Sequence, residues 1–239
     1  SPCPLKDTSI RGVFFFNKMY NHFMFDYFFF DLDGTLTDPA EGITNSFIYA
    51  LKYFGLPLPD YQTLCTFIGP PLPDTFKNEF HFNDEETNLA VQKYREYFSQ
   101  KGLFENKIYP GIKSLLEKLK EEGKTLIVAT SKPEEYSKKI LEHFDLASYF
   151  DLICGSLMDE SRSKKEEVIS YAISSSSITD LRKVLMIGDR KYDILGAHAN
   201  NIKACGVLYG YGKRSEFIES KADYICENIS QLEELCLKN

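Results

Sequence analysis

Met24-Phe25-Asp26-Tyr27-Phe28-Phe29-Phe30 runs directly into Asp31-Leu32-Asp33-Gly34-Thr35-Leu36-Thr37. The first seven residues are a short apolar and aromatic run ending in acids. Such a run suits a buried strand over residues 24–30, one that delivers Asp31 to its C-terminal edge. Two acids at i and i+2 beyond that strand point towards one crevice as the chain turns away. Asp and Gly are also ordinary turn residues, so an isolated Asp-x-Asp would read as a capped strand end. The rest of the chain decides between these readings.

Beyond residue 108 an alternation of strands and helices sets in. Tyr109-Pro110-Gly111 punctuates the chain, and Ile112, Leu115, Leu116 and Leu119 form a helix face closed by Gly123. Strands are predicted over 125–129, 151–154, 183–187, 203–207 and 222–226. Helices are predicted over 133–144, 164–173, 191–200 and 229–237. Strands alternating with helices imply an α/β fold with a Rossmann-like, doubly wound parallel sheet. Between the first strand and this alternation lies a block with helical patterns at 44–54, 60–67, 74–80 and 84–101 and no convincing strand. It reads as an inserted all-helical cap domain. The expected organisation is a core of residues 24–37 and 108–239, a cap of residues 38–107, and an N-terminal extension, 1–23, of unknown role. Asn17, Lys18, Asn21 and His22 break up the aromatic clusters there, so it does not resemble a signal peptide, and Met19 and Met24 are candidate starts.

The chain has 239 residues, 43% hydrophobic and 26% charged, with net charge −7. An acidic protein lacks the basic footprint that nucleic-acid binding needs. A phosphate ligand would require a local positive site built against that field, which a bound metal provides. No stretch reaches the roughly 18 apolar residues of a membrane span. Cys3, Cys65, Cys154, Cys205, Cys226 and Cys236 show no CxxC pair or zinc spacing and are expected as reduced thiols, consistent with a cytoplasmic protein.

Four polar segments follow predicted strands, and ligands of open α/β sheets bind at the carboxyl ends of strands. The first is Asp31-Leu32-Asp33-Gly34-Thr35. The second, Thr130-Ser131-Lys132-Pro133, offers hydroxyls and N–H groups at an expected helix start, although a Ser or Thr there is usually only an N-cap. The third is Lys164-Lys165-Glu166-Glu167-Val168-Ile169, a pair that by itself reads as solvated surface. The fourth is Gly188-Asp189-Arg190-Lys191-Tyr192-Asp193, with carboxylates suited to a hard cation such as Mg²⁺. In order and spacing the four resemble the motifs of the haloacid dehalogenase superfamily. The resemblance covers residues 24–239, and Tyr109-Pro110-Gly111 and Met186-Ile187-Gly188-Asp189-Arg190 look close to its phosphoglycolate phosphatase-like branch.

That resemblance implies a phosphatase. Asp31 would be the nucleophile, and Asp33 the acid that protonates the leaving alkoxide and later activates water. Thr130 and Ser131 would bind the phosphoryl group together with one lysine, Lys165 or Lys164. Mg²⁺ would be held by Asp31, the backbone carbonyl of Asp33 and Asp189, with Asp193 in support. Relatives without alkoxide chemistry lack the second acid, so Asp33 favours a phosphatase or a phosphomutase. The mutase, and a catalytically idle binding protein, are the alternatives. The expected partner is a small phosphorylated metabolite such as 2-phosphoglycolate, a nucleoside monophosphate, pyrophosphate or a sugar phosphate, with neither nucleic acid nor membrane involved; nothing in the sequence sets an oligomeric state. Specificity is expected in the cap, at Ile68-Gly69-Pro70-Pro71-Leu72-Pro73. Its three prolines predict a stiff extended loop, with Gly69, Pro70 and Pro71 as a wall of the leaving-group pocket and hinges at 37–42 and 107–111.

Overall fold

The computed structural model describes residues 25–159 and 161–238. The N-terminal extension, and Met24 at the head of the expected first strand, lie outside the described residues.

Strand β1 is Tyr27–Phe30. Phe28, Phe29 and Phe30 are fully buried. Phe28 and Phe30 join one core layer with Leu116 and Leu185, whereas Phe29 joins a second with Ile169 and Met186. A strand covered on both faces is what a parallel sheet demands, and each buried Phe contributes about 1.5–3 kcal/mol. The chain continues through β2 (Thr37–Asp38), α1 (Ala40–Tyr53), α2 (Tyr61–Cys65), α3 (Leu72–Phe80) and α4 (Asp84–Tyr97). A π-helical turn, Phe98–Gly102, precedes β3 (Lys107–Ile108), which pairs antiparallel with β2. There follow α5 (Ile112–Glu121), β4 (Thr125–Pro133), α6 (Glu134–His143), β5 (Leu152–Ser156), α7 (Lys165–Ser174) and β6 (Val184–Gly188). The chain ends with α8 (Lys191–Ala199), β7 (Lys203–Val207), α9 (Arg214–Glu219), β8 (Tyr224–Cys226) and α10 (Ile229–Lys238).

Six strands form one parallel sheet in the order β5-β4-β1-β6-β7-β8. From β1 the chain winds outward through β4 and β5, then crosses back to β6 on the other side. β1 therefore lies at the switch point where ligand crevices form. Phe30 is in register with Val128 of β4 and Ile187 of β6, so Asp31 and Asp189 leave the C-terminal ends of β1 and β6 beside Thr130 of β4. Helices α1–α4 form the inserted helical cap, centred on Phe47, whose ring lies 5.1–5.3 Å from those of Phe67, Phe76 and Tyr94. The antiparallel pair β2–β3 lies where the chain enters and leaves the helical block.

Several elements differ from the sequence expectation. Helix α1 begins at Ala40 rather than at residue 44, because the Asp38 side chain accepts the Ala40 N–H at 3.1 Å. β4 does not stop at Ala129 but continues through Thr130, Ser131 and Lys132 to Pro133, with a register shift against β5. The second motif is therefore strand, and α6 begins only at Glu134. Leu72 and Pro73 belong to the first turn of α3, where a proline loses no helical hydrogen bond, so the proline loop is shorter than expected. The predicted helix over 84–101 gives way to the π-helical turn at Phe98. The described cysteines, Cys65, Cys154, Cys205, Cys226 and Cys236, are all free thiols. No described helix is long and apolar enough to cross a membrane.

Candidate active site

Asp31 follows β1, and its N–H continues the ladder to Ile187 O at 2.9 Å. Its side chain folds back so that Oδ1 accepts the Leu32 N–H at 2.8 Å. The loop then reverses sharply, with the N–H groups of Leu36 and Thr37 both donating to Leu32 O. Gly34 is in the left-handed region at φ +78°, and a Cβ there would overlap the Asp189 carboxylate. Glycine thus lets the first and fourth motifs touch.

Lys165 occupies the first turn of α7, and its side chain is buried. Its Nζ is 2.8 Å from Asp31 Oδ1, 2.8 Å from Asp193 Oδ1 and 3.1 Å from Ala129 O. Burial disfavours its charge, but Asp193 and Asp31 outweigh that and hold the ammonium above its ordinary pKa. Lys164 is the exposed N-cap residue of α7, so it is Lys165 that enters the site. Asp193 is fixed from its other oxygen, Oδ2, which accepts the Arg190 N–H at 3.0 Å.

Asp189 follows β6 and is almost fully buried. Its Oδ2 accepts the Tyr211 N–H at 2.8 Å, whereas Oδ1 is buried with no partner. Burial, with Asp193 and Asp31 beside it, pushes its carboxyl well above the ordinary range. One side-chain oxygen from each of Asp31, Asp189 and Asp193 lies within 4.8 Å of the other two. Two of the three buried carboxylates, Asp31 and Asp193, share Lys165, Asp189 Oδ1 is unpartnered, and every donor is oxygen. That set fits a hard divalent cation such as Mg²⁺.

Asp33 stands apart from that cluster. Its expected metal contact is through the backbone carbonyl, and its carboxylate turns to Lys132, with Oδ2 2.6 Å from Nζ. Burial pushes the Asp33 carboxyl up despite the opposing pull of Lys132. The Asp193 side chain, expected only in support, takes the third place in the acidic cluster and also anchors the lysine.

Thr130 is buried beside this cluster, its hydroxyl accepting the Lys132 N–H at 3.2 Å, and Ser131 is half-buried next to it. In the cap, Gly69 adopts φ +104° and a Cβ on it would meet the Arg190 guanidinium at 2.5 Å. Arg190 Nη1 donates to Ile68 O at 2.5 Å, and its Nε donates to Glu216 at 3.1 Å. This brings the Gly69-Pro70-Pro71 segment to the residue after Asp189, and Pro71 itself remains exposed.

Sequence reasoning missed three contributors. Lys132 lies inside the second motif but carries no local sign of its role. Arg190 lies inside the fourth. Tyr209-Gly210-Tyr211-Gly212 follows β7, so the strand-end rule that located the other segments extends to it. Tyr209 Oη donates to Thr35 O at 3.0 Å, and the Tyr211 hydroxyl bonds Asp38 in the β2 neck.

Comparison with known proteins gives the chain its relatives. Residues 28–207 match the family described as haloacid dehalogenase-like hydrolase. A 5'-nucleotidase of Pseudomonas aeruginosa is 42% identical over 206 residues, covering 86% of this chain and 93% of that protein. The tyrosine-protein kinase PtkA of Mycobacterium tuberculosis is 37% identical over 206 residues, covering 86% of this chain and 69% of that one. The crystal structure of a predicted phosphatase from Clostridium acetobutylicum superposes with a TM-score of 0.86 at 47% identity, covering 90% of this chain and all of that one.

Proposed function

The chain belongs to the haloacid dehalogenase-like hydrolases, and from that premise we propose that it is a Mg²⁺-dependent phosphatase that cleaves a small phosphorylated metabolite through a phosphoryl group carried on Asp31. As a phosphoric monoester hydrolase of this family it must bring a carboxylate against a phosphate dianion. The two repel unless cations lie between them. The observation that carries the proposal is the placement of Lys165, 2.8 Å from both Asp31 and Asp193, in the same cluster as the unpartnered oxygen of Asp189.

Asp31, Asp189 and the Asp33 carbonyl would hold Mg²⁺, with Asp193 in support through Lys165. When bound, the ion would neutralise phosphoryl oxygens and orient the group for in-line displacement. Lys165 and the Leu32 N–H both engage Asp31 Oδ1, which fixes the plane of the carboxylate. Asp31 attacks phosphorus as the bond to the leaving oxygen breaks, and Asp33 gives that oxygen its proton. Asp33 then takes a proton from the water that attacks phosphorus and frees Asp31. Burial keeps Asp33 inclined to hold a proton, as an acid requires. Thr130, Ser131 and neighbouring N–H groups hold the equatorial oxygens.

The cap comprises residues 38–107 and hinges at the β2–β3 neck, with Gly69, Pro70 and Pro71 forming a wall for the leaving group. The free thiols among the described residues favour a cytoplasmic setting. The relative named 5'-nucleotidase puts nucleoside 5'-monophosphates first in a substrate screen, ahead of 2-phosphoglycolate and sugar phosphates.

The test is phosphate release across such a panel with Mg²⁺ or chelator, together with mass spectrometry of the acid-quenched enzyme. The expected result is Mg²⁺-dependent release and a phosphoryl adduct on the peptide that contains Asp31. Isomerisation of a hexose phosphate without release would make the chain a mutase. Neither release nor adduct with any substrate would leave an idle binding protein.

A further inference from the structure

Lys132 is the residue of the second motif that the reaction outlined above does not use. Its side chain is only 8% exposed although it carries a charge, and Nζ lies 2.6 Å from Asp33 Oδ2. On its other side the ammonium sits 4.5 Å from the centroid of the Phe98 ring. Phe98 comes from the cap, where it opens the π-helical turn. Its ring stacks on Tyr94 at 5.6 Å and packs against Tyr136 of the core at 5.7 Å. The Leu103 N–H reaches back five residues to Phe98 O at 2.8 Å. Such π-turns recur at functional sites in helices.

The two oxygens of Asp33 are therefore unequal. Oδ2 is anchored by the lysine, and Oδ1 is buried without any partner. A buried, unpartnered oxygen is costly and persists where something else makes use of it. A carboxyl that serves first as acid and then as base must present one oxygen to the same point in both steps. Free rotation about Cβ–Cγ would blur that alignment, and misplacement by about 1 Å costs on the order of 10²-fold in rate.

We infer that Lys132, pinned between Asp33 and Phe98 of the cap, is a positioning residue that fixes Asp33 so that Oδ1 faces the leaving oxygen. The inference rests on the proposed acid–base role of Asp33. Lys132 itself exchanges no proton with substrate: the proton passes from Asp33 to the departing alkoxide, and from the attacking water back to Asp33. The cap thereby reaches the chemistry as well as the substrate, because Phe98 limits where the ammonium can lie.

The experiment compares the single-turnover rate of leaving-group release for an alkyl phosphate, whose departure needs protonation, with that for acetyl phosphate, whose departure does not, because the later hydrolysis of the phosphoryl-enzyme is common to both. The proteins are wild type, Asp33→Asn, Lys132→Met, Lys132→Arg and the Asp33→Asn/Lys132→Met double variant, all at saturating Mg²⁺. Lys132→Met is expected to lose about 10²-fold on the alkyl phosphate and no more than about threefold on acetyl phosphate. Lys132→Arg keeps the charge and should recover most of the loss. The double variant should be no worse than Asp33→Asn on the alkyl substrate, since both changes disable one device. Equal losses by Lys132→Met on both substrates would make Lys132 a structural ion pair and overturn the inference, as would additive losses in the double variant. If Asp33→Asn discriminates between the substrates and Lys132→Met does not, only the role of Lys132 fails. If Asp33→Asn does not discriminate, the acid role of Asp33 fails and takes the inference with it.

Discussion

Asp31 is where one atom can be changed with little disturbance to packing. Asp31→Asn keeps the shape and an acceptor for the Leu32 N–H, and Lys165 still has Asp193. The variant should fold normally yet lose at least about 10³-fold in turnover, roughly 4 kcal/mol at ~1.4 kcal/mol per decade, because the proposed nucleophile and metal ligand disappear together. Single-turnover phosphate release and circular dichroism check this, and activity within about tenfold of wild type would exclude the covalent route. At this scale the sequence is informative where chemistry is local. Asp31, Asp33, Asp189 and Asp193 each belong to a short motif whose spacing shows in one dimension. The choice between Lys164 and Lys165 is not local, because it depends on where α7 starts. Lys164 is an extended N-cap residue at ψ 139°, and Lys165 is the first helical residue, directed inward. Lys132 was illegible for a stronger reason: Asp33 and Phe98, which give it meaning, lie in other elements far along the chain.

Among elements, the proline segment before α3 makes the sharpest prediction. Pro70 and Pro71 restrict the backbone beside Gly69, which Arg190 contacts from the core. Pro70→Gly/Pro71→Gly returns conformational freedom worth roughly 1–2 kcal/mol, so kcat/KM for the preferred metabolite should fall about tenfold. Acetyl phosphate hydrolysis should change much less, since it uses mainly the core; equal losses on both would indicate a closure or folding defect. A second junction sets a pH dependence. Asp223, just before β8, accepts the Ala204 N–H at 3.0 Å and contacts His198 of α8 at 3.0 Å and Lys203 of β7. Burial works against its ionisation, but Lys203, the Ala204 N–H and His198 outweigh it and lower its pKa. A lowered folded-state pKa gives stability that is present above the unfolded value, about 3.9, and lost as pH falls through the folded one. Asp223→Asn should therefore cost about 1–2 kcal/mol at neutral pH. Urea unfolding should show that gap closing as pH falls below about 3.9, and a gap of constant size would deny the linkage. The elements themselves were legible where burial leaves a pattern. β1, β4, β6 and β7 are apolar runs because both faces of the sheet are covered. The two-residue strands β2 and β3 and the six-residue α9 are too short to show any period, and the π-helical turn continues the pattern of α4.

For the molecule as a whole, the decisive quantity is charge. The insertion of a cap was legible because one strand precedes a helical block and several follow it. The order β5-β4-β1-β6-β7-β8, which places β1 between the other two motif-bearing strands, came only from the pairing. That order gathers Asp31, Asp189 and Asp193 at one edge of a chain with net charge −7, against Lys165. Two negative charges are left over, and a divalent cation would balance them. Mg²⁺ at about 100 times its Kd should then stabilise the fold by ~2.7 kcal/mol, a rise in Tm of roughly 5–10 °C for a chain of this size. Asp189→Asn separates this from a general salt effect, because it acts in opposite directions on the two states. Without metal, Asp189 is a buried carboxyl with an unpartnered oxygen and like charges beside it, so the amide should leave Tm equal or higher. With Mg²⁺, the amide lacks the ligand charge, so most of the rise should vanish. Ca²⁺ accepts more oxygens at longer distances, and should raise the wild-type Tm without supporting turnover. Differential scanning fluorimetry with chelator, Mg²⁺ and Ca²⁺ reads all three states without a substrate. An unchanged wild-type Tm across them, or an equal Mg²⁺ response in Asp189→Asn, would take the metal out of this site.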